Sequence, residues 1–150
     1  MRYLTKLDVW VFHLLAVQQT ADNIENSNTY RNELLDSAVE LIKHDKYYPD
    51  LFTKAAALTR SLVLNHPFID GNKRAAAFSL MAFLEENDYR LTCTNHEVVE
   101  LTLKIANGEI REIREIREWI AKRSNPSDLV DIHSGTVISR LKKFFFPKKS

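Results

Sequence analysis

Within nine residues, His66-Pro67-Phe68-Ile69-Asp70-Gly71-Asn72-Lys73-Arg74, the chain gathers a base, an oxygen ligand, two cations and a glycine. The imidazole of His66 can accept a proton at neutral pH. Asp70 is a hard oxygen donor of the kind that Mg²⁺ takes together with phosphate oxygens. Lys73 and Arg74 stand on what the pattern makes the first turn of a helix. Positive charge is mildly unfavourable there, so two adjacent cations point to an anionic ligand that outweighs the penalty. Free N–H groups and the helix dipole at the same place attract phosphate, and Gly71 lets the backbone approach it closely. Each residue alone has a plainer account. A histidine before proline often just ends a helix, Asp-Gly is a common turn, and Lys-Arg is usually a solvated pair. Together, ahead of an apolar helix, they make a base, a metal ligand and a phosphate cradle.

The elements that hold this loop are read as helices. Three glycines and four prolines in 150 residues are too few for a sandwich or barrel, whose turns recur every ~8–12 residues. A hydrophobic fraction of 45% excludes disorder. The expectation is an all-α domain of about six helices around a buried central helix. Thr5 reads as an N-cap with Asp8 in a capping-box position, followed by Leu7, Trp10, Val11 and Leu14 at helical spacing. A polar loop follows from Gln18 to Asn32. A second helix is predicted from about Glu33 to Lys43, and a third from about Asp50 to Asn65, ended by His66-Pro67. The fourth, from about Asn72 to Asn87, is apolar on all sides in its first half, which marks it as the buried centre. Asn87-Asp88 ends it, in residue types that tolerate the left-handed conformation. Tyr89 to Thr92 reads as a short extended piece. Asn95 is expected to cap a fifth helix that ends at about Asn107 with Gly108 as its C′ residue. A sixth, from Ile110 to about Arg123, repeats Arg-Glu-Ile and reads as an amphipathic surface helix burying Ile110, Ile113, Ile116, Trp119 and Ile120.

Charge and cysteine content bound the setting. A net charge of +1 advertises no nucleic acid or membrane partner, and no direct DNA binding is expected. The single cysteine, Cys93, fits a reducing compartment. Asp8 and His13 interrupt the N-terminal apolar stretch, so no signal peptide is read. The longest apolar run, Ala75 to Leu84, falls short of the ~18 residues of a membrane span. A cytoplasmic protein without a transmembrane segment is expected. His13, His44, His96 and His133 lack metal-ligand spacing and are read as structural or surface residues. Asn125-Pro126-Ser127 marks a boundary, dividing a domain over 1–123 from a basic C-terminal tail over 124–150 of unknown role. The tail holds five Lys/Arg against two Asp and ends in Phe144-Phe145-Phe146 flanked by lysines. Its aromatics are expected to pack back on the domain.

The loop resembles the signature of the Fic/Doc family, H-x-F-x-D/E-G/A-N-G/K-R. His66, Phe68, Asp70, Gly71, Asn72, Lys73 and Arg74 all match. The likeness extends to Leu62-Val63-Leu64-Asn65 before the motif and Tyr89-Arg90-Leu91-Thr92 after it, and in coarser form covers residues 3 to 123. It implies a Fic-type helical bundle. AMP-transferring Fic enzymes usually have glycine where this chain has Lys73, and a second arginine where it has Ala77, so the chain is closer to the Doc (death-on-curing) branch. That resemblance implies a toxin of a toxin–antitoxin system. ATP would bind with its γ-phosphate at the reacting point, and a Ser/Thr hydroxyl of a protein target would be phosphorylated. The family target is elongation factor Tu, and the outcome is blocked translation. Mg²⁺ is the implied metal, and an antitoxin acting in trans the implied partner, since no self-inhibiting S/T-x-x-x-E-G/N helix is found. By position, His66 would be the general base, and Asp70 would hold Mg²⁺ and help orient His66. Gly71, Asn72 and Lys73 would present N–H groups to the phosphates, and the Lys73 and Arg74 side chains would neutralise the transferring group. Phe68 would anchor the loop. The alternatives are AMP transfer to a protein hydroxyl, or a catalytically degenerate Fic fold that binds a partner. Leu34-Leu35-Asp36-Ser37-Ala38 follows the family pattern. The preceding loop lacks the family's glycine, Arg31 is displaced by one position and Ala75 replaces a common Thr. The loop and Arg31 bear on target docking more than on chemistry.

Overall fold

Capping and burial explain where each helix starts and which side it turns inward. The structure is a computed structural model and describes residues 1–17 and 31–127. Within them lie six helices and one two-stranded ribbon. α1 (Lys6–Val17) opens with the expected capping box: the Thr5 N–H donates to Asp8 Oδ2 at 2.8 Å and the Asp8 N–H to Thr5 Oγ1 at 3.1 Å. Its buried stripe is Val9, Phe12, His13 and Ala16, not the expected Leu7, Trp10, Val11 and Leu14. Leu7 is 62% exposed. A helix apolar on most sides leaves its rotation open until its neighbours are known.

α2 (Asn32–Leu41) buries Leu35, Ala38 and Val39. α3 (Leu51–Leu64) is capped by Asp50, whose Oδ1 accepts from the Thr53 N–H at 2.9 Å. α4 (Asn72–Glu86) is buried at Asn72 and without a break from Ala75 to Leu84. It is the buried helix expected, but it does not stand alone at the centre. α3 packs against α2, α4, α5 (Asn95–Ala106) and α6 (Ile113–Lys122), while α4 packs against α1, α3 and α5. The core is therefore an α3–α4 pair, and the chemistry-bearing loop joins its two members.

α3 also buries a lysine. Lys54 Nζ donates to the Ile42 carbonyl at 2.6 Å and to Asp45 Oδ1 at 2.7 Å, with the Tyr3 ring centroid 5.6 Å away. Burial disfavours the ammonium, but Asp45 and Tyr3 outweigh it and leave the lysine above its ordinary pKa. A buried charge is tolerated only when paired and hydrogen-bonded in this way.

The ends of the later helices follow local rules. Asp88, not Asn87, takes the left-handed conformation after α4, at φ 66°. The Asn87 side chain instead ties down the N-terminus, accepting from the Arg2 N–H and donating to the Arg2 carbonyl, both at 2.8 Å. Thr94 rather than Asn95 caps α5, its Oγ1 accepting from the Glu97 N–H at 3.2 Å. Gly108 is the left-handed C′ residue, at φ 83°. The Gly108 and Glu109 N–H groups reach back to the carbonyls of Ile105 and Lys104, which is the Schellman pattern. α6 turns Ile116 and Ile120 inward with Ile113 and Trp119 half-buried, as the amphipathic reading expects. β1 (Tyr89–Leu91) pairs antiparallel with β2 (Ser124–Pro126) in the register Leu91 to Ser124. The Phe144–Phe146 run lies outside the described residues. Among those residues no helix is long and apolar enough to cross a membrane.

Asp50 also joins α3 to α6. Its carboxylate accepts from Thr53 Oγ1 at 2.8 Å and from Arg117 Nε at 3.3 Å. Burial pushes its pKa up, but the bonds from Thr53 and the charge of Arg117 win and hold it below the ordinary 3.8. A carboxyl depressed on folding stabilises the fold above its unfolded value and loses that contribution as pH falls through its folded one. Asp50→Ala is expected to cost about 1 kcal/mol at pH 7, the usual value of an N-cap, read from urea unfolding. The gap between variant and parent should narrow as pH falls below 3.8.

Candidate active site

The loop between α3 and α4 leaves α3 through Asn65 and reverses direction at His66. His66 sits at φ 48°, a left-handed conformation that costs a residue with a Cβ roughly 1–2 kcal/mol. Pro67 and Phe68 then turn inward, Ile69 and Asp70 turn outward, and Gly71 leads into α4. Gly71 is the N-cap of α4 at φ 79°. Its positive φ is by itself a sufficient reason for glycine, alongside the close approach of a phosphate.

The inward groups fix the loop by its backbone. The Phe68 N–H donates to Asn72 Oδ1 and the Asn72 Nδ2 amide donates to the Phe68 carbonyl, each at 2.9 Å. One side chain thus satisfies both polar groups of a buried residue. The Arg31 N–H at the start of α2 donates to the Pro67 carbonyl at 2.6 Å. The Phe68 ring lies flat on the His13 imidazole, with centroids 3.8 Å apart and planes 3° from parallel. His13 Nε2 lies 2.6 Å from the Asp70 carbonyl oxygen. A carbonyl can only accept, so Nε2 carries the proton and donates. Burial pulls the His13 pKa below its ordinary 6.5, more strongly than its interactions with Asp70 raise it.

The outward groups are the chemical ones. His66, Asp70, Lys73 and Arg74 are all exposed, on the loop and on the first turn of α4. The Gly71 N–H donates to Asp70 Oδ1 at 2.7 Å. The first turn of any helix leaves N–H groups without intrahelical acceptors, and a glycine N-cap has no side chain to fill them. The loop thus brings together every residue the sequence singles out. The Asn72 side chain is buried in the loop, so the N–H it has for a ligand is that of its backbone.

No group of three or more His, Cys, Asp or Glu side chains that could hold a metal is found among the described residues. The donor set here is one exposed carboxylate beside two cations. That fits a Mg²⁺ ion brought in on phosphate oxygens and does not fit a metal centre built by the protein alone. Cys93 is no nucleophile candidate, because burial and then the Glu97 carboxylate push its thiol up.

His13, read from the sequence only as a structural or surface residue, is buried and bound to the loop. The available signal was the spacing Val9, Phe12, His13 and Ala16, a second helical stripe that places the histidine in the core.

Comparison with known proteins bears on the same segment. A family model described as the Fic/DOC family matches residues 3–84, from α1 through the loop and most of α4. "Toxin Doc" of Mycolicibacterium smegmatis is 45% identical over 62 residues, which is 39% of this chain and 48% of that protein. The chain thus spans about half the length of the curated relative it matches.

Removing the Asn72 amide strands a buried N–H and a buried C=O on Phe68, each worth about 1–3 kcal/mol when unpaired. Asn72→Ala is therefore expected to destabilise the fold by about 2–4 kcal/mol in urea unfolding, although it removes no charge and little apolar area. A loss below 1 kcal/mol would show that water restores the pairing.

Proposed function

The chain belongs to the Fic/DOC family, and from that premise we propose that it is a Doc-type toxin that moves the γ-phosphate of ATP to a Ser/Thr hydroxyl of a protein. One observation carries the reading: His66 and Asp70 are exposed on a loop held by its backbone, and Lys73 and Arg74 are exposed beside them on the first turn of the buried helix that follows the left-handed N-cap Gly71.

The roles follow from position. The His66 imidazole takes the proton of the target hydroxyl, as a general base. The hydroxyl oxygen forms its bond to the γ-phosphorus while the bond from that phosphorus to the β,γ-bridging oxygen breaks, and ADP leaves. The N–H groups of Gly71, Asn72 and Lys73 hold phosphate oxygens at the helix N-terminus. The Lys73 and Arg74 side chains balance the charge of the transferring group. The Asp70 carboxylate would help hold a Mg²⁺ ion, which would supply further neutralisation of the phosphates. Two features favour γ-phosphate transfer over AMP transfer. Lys73 occupies the place where AMP-transferring relatives keep glycine, and Ala77, buried in α4, carries no charge for a second phosphate site. The family likeness further points to elongation factor Tu as target, to the cytoplasm as setting and to an antitoxin supplied in trans.

Incubating the protein and a bacterial lysate with ATP labelled at either the α or the γ phosphate tests this directly. Label from γ on a protein target is the expected result. Label from α would move the assignment to AMP transfer, and label from neither would leave a binding module. His66→Ala should lower transfer by about 10²–10⁴-fold, the range of a general base. We further propose that the tail is dispensable for the chemistry. A chain ending at Ser127, which keeps the Ser127 N–H bond to the Asp88 carbonyl at 2.9 Å, should retain most of the activity.

A further inference from the structure

Among the buried polar residues, His13 stands out because its polar contact and its ring contact both go to the loop. It donates from Nε2 to the Asp70 carbonyl and stacks on Phe68. Its Nδ1 is buried with no hydrogen-bond partner among the described residues. An unpaired buried nitrogen is a cost that an apolar ring of similar size would avoid. Packing alone therefore does not account for an imidazole here, and the bond to Asp70 does.

The bond acts on a particular peptide. The carbonyl of Asp70 and the N–H of Gly71 belong to one planar trans unit and point in opposite directions. Drawing the carbonyl inward to His13 turns the Gly71 N–H outward, where it now meets Asp70 Oδ1 at 2.7 Å. The two bonds that fix the preceding residues go elsewhere. Asn72 holds the Phe68 backbone, and Arg31 holds the Pro67 carbonyl. Gly71 itself does not fix it either, because glycine populates both signs of φ at similar cost, so the chain's own sterics permit the peptide to flip.

We propose that His13 is a positioning residue that locks the Asp70–Gly71 peptide with its N–H facing the phosphate-binding side of the loop. This rests on reading the loop as a phosphate site, and its function is to hold one donor ready before the nucleotide arrives. Without it the Gly71 N–H spends time turned inward, and nucleotide binding must select the outward state at a loss of affinity and rate.

The variants are His13→Phe, which keeps the ring stack and loses the donor, and His13→Gln, which restores a donor at about the reach of Nε2. In ¹⁵N-labelled protein, His13→Phe should shift the Gly71 amide resonance and speed its exchange, with the amides of α3 and α4 unchanged. The kcat of γ-phosphate transfer should fall about ten- to a hundred-fold, the scale for a misplaced binding group. His13→Gln should recover a substantial part of both effects. An unmoved Gly71 amide in His13→Phe, or equal losses in the two variants, would overturn the proposal. Should His13→Phe fail to fold, the wild-type imidazole decides: a slowly exchanging proton on Nε2 supports the lock and one on Nδ1 overturns it. If the wild type transfers no label at all, the Doc-type reading falls, while the Gly71 amide still tests the role of His13.

Discussion

The pairing of the Asn72 side-chain amide with both backbone groups of Phe68 closes the loop between α3 and α4 into a ring, and the rest of the candidate site is built around that closure. Phe68 is buried, so its N–H and C=O have no water to turn to. Asn72 meets both, at 2.9 Å each, and it does so from the first position of α4. The loop is thereby referenced to the most deeply buried helix of the protein. A helix wrapped by other elements along most of its length cannot tilt without opening the core, so the loop inherits its rigidity. Rigidity matters because a phosphate cradle made of backbone N–H groups works only while those groups keep their directions.

The loop divides its residues by side. Pro67, Phe68 and Asn72 face inward and carry the structure, while His66, Asp70, Lys73 and Arg74 face outward and carry the proposed chemistry. The inward set is closed by partners from three other places: the His13 ring of α1 stacked on Phe68, the Arg31 N–H at the head of α2, and α4 itself. The outward residues are exposed at the surface. His66 is the joint between the two. Its left-handed backbone, at φ 48°, swings the chain out of α3 in a single residue and leaves the imidazole at the surface.

Features set by near neighbours in the chain were legible in the sequence. The capping box of Thr5 and Asp8, the left-handed Gly108 and the apolar stripe of α6 each depend on residues within one or two turns, and each was found where expected. The loop residues were legible for the same reason, being consecutive. What could not be read depends on contacts far apart in sequence. The rotation of α1 is decided by α4 and the loop, so an all-round apolar pattern left the wrong stripe chosen, and His13 went with it. Its bond to Asp70 spans 57 positions. The cap of α5 slipped by one residue because Thr94 and Asn95 are both good capping types, and only the turn out of β1 decides between them. The partner of β1 was hidden because Ser124-Asn125-Pro126 has a loop's composition and becomes a strand only by lying against Tyr89–Leu91.

The charges around Gly71 suit the anionic ligand of the proposed function. Lys73 and Arg74 at the start of α4 oppose the helix dipole, at up to about 1 kcal/mol each when exposed. Asp70 is the one carboxylate of the loop, and its Oδ1 takes the Gly71 N–H at 2.7 Å. In that contact a carboxylate oxygen occupies the position that a phosphate oxygen takes at a helix N-terminus. The same side chain is the proposed partner of Mg²⁺, and a metal ion would draw it toward the nucleotide. The arrangement is thus self-compensating in both conditions. Without nucleotide, Asp70 satisfies the donor and offsets the two cations. With the proposed nucleotide, phosphate oxygens would take over the donor and the cations, and the carboxylate would turn to the metal. The exchange would need a Gly71 N–H that keeps its direction when Asp70 lets go, and a bond on the far side of that peptide, such as the one from His13, would provide it.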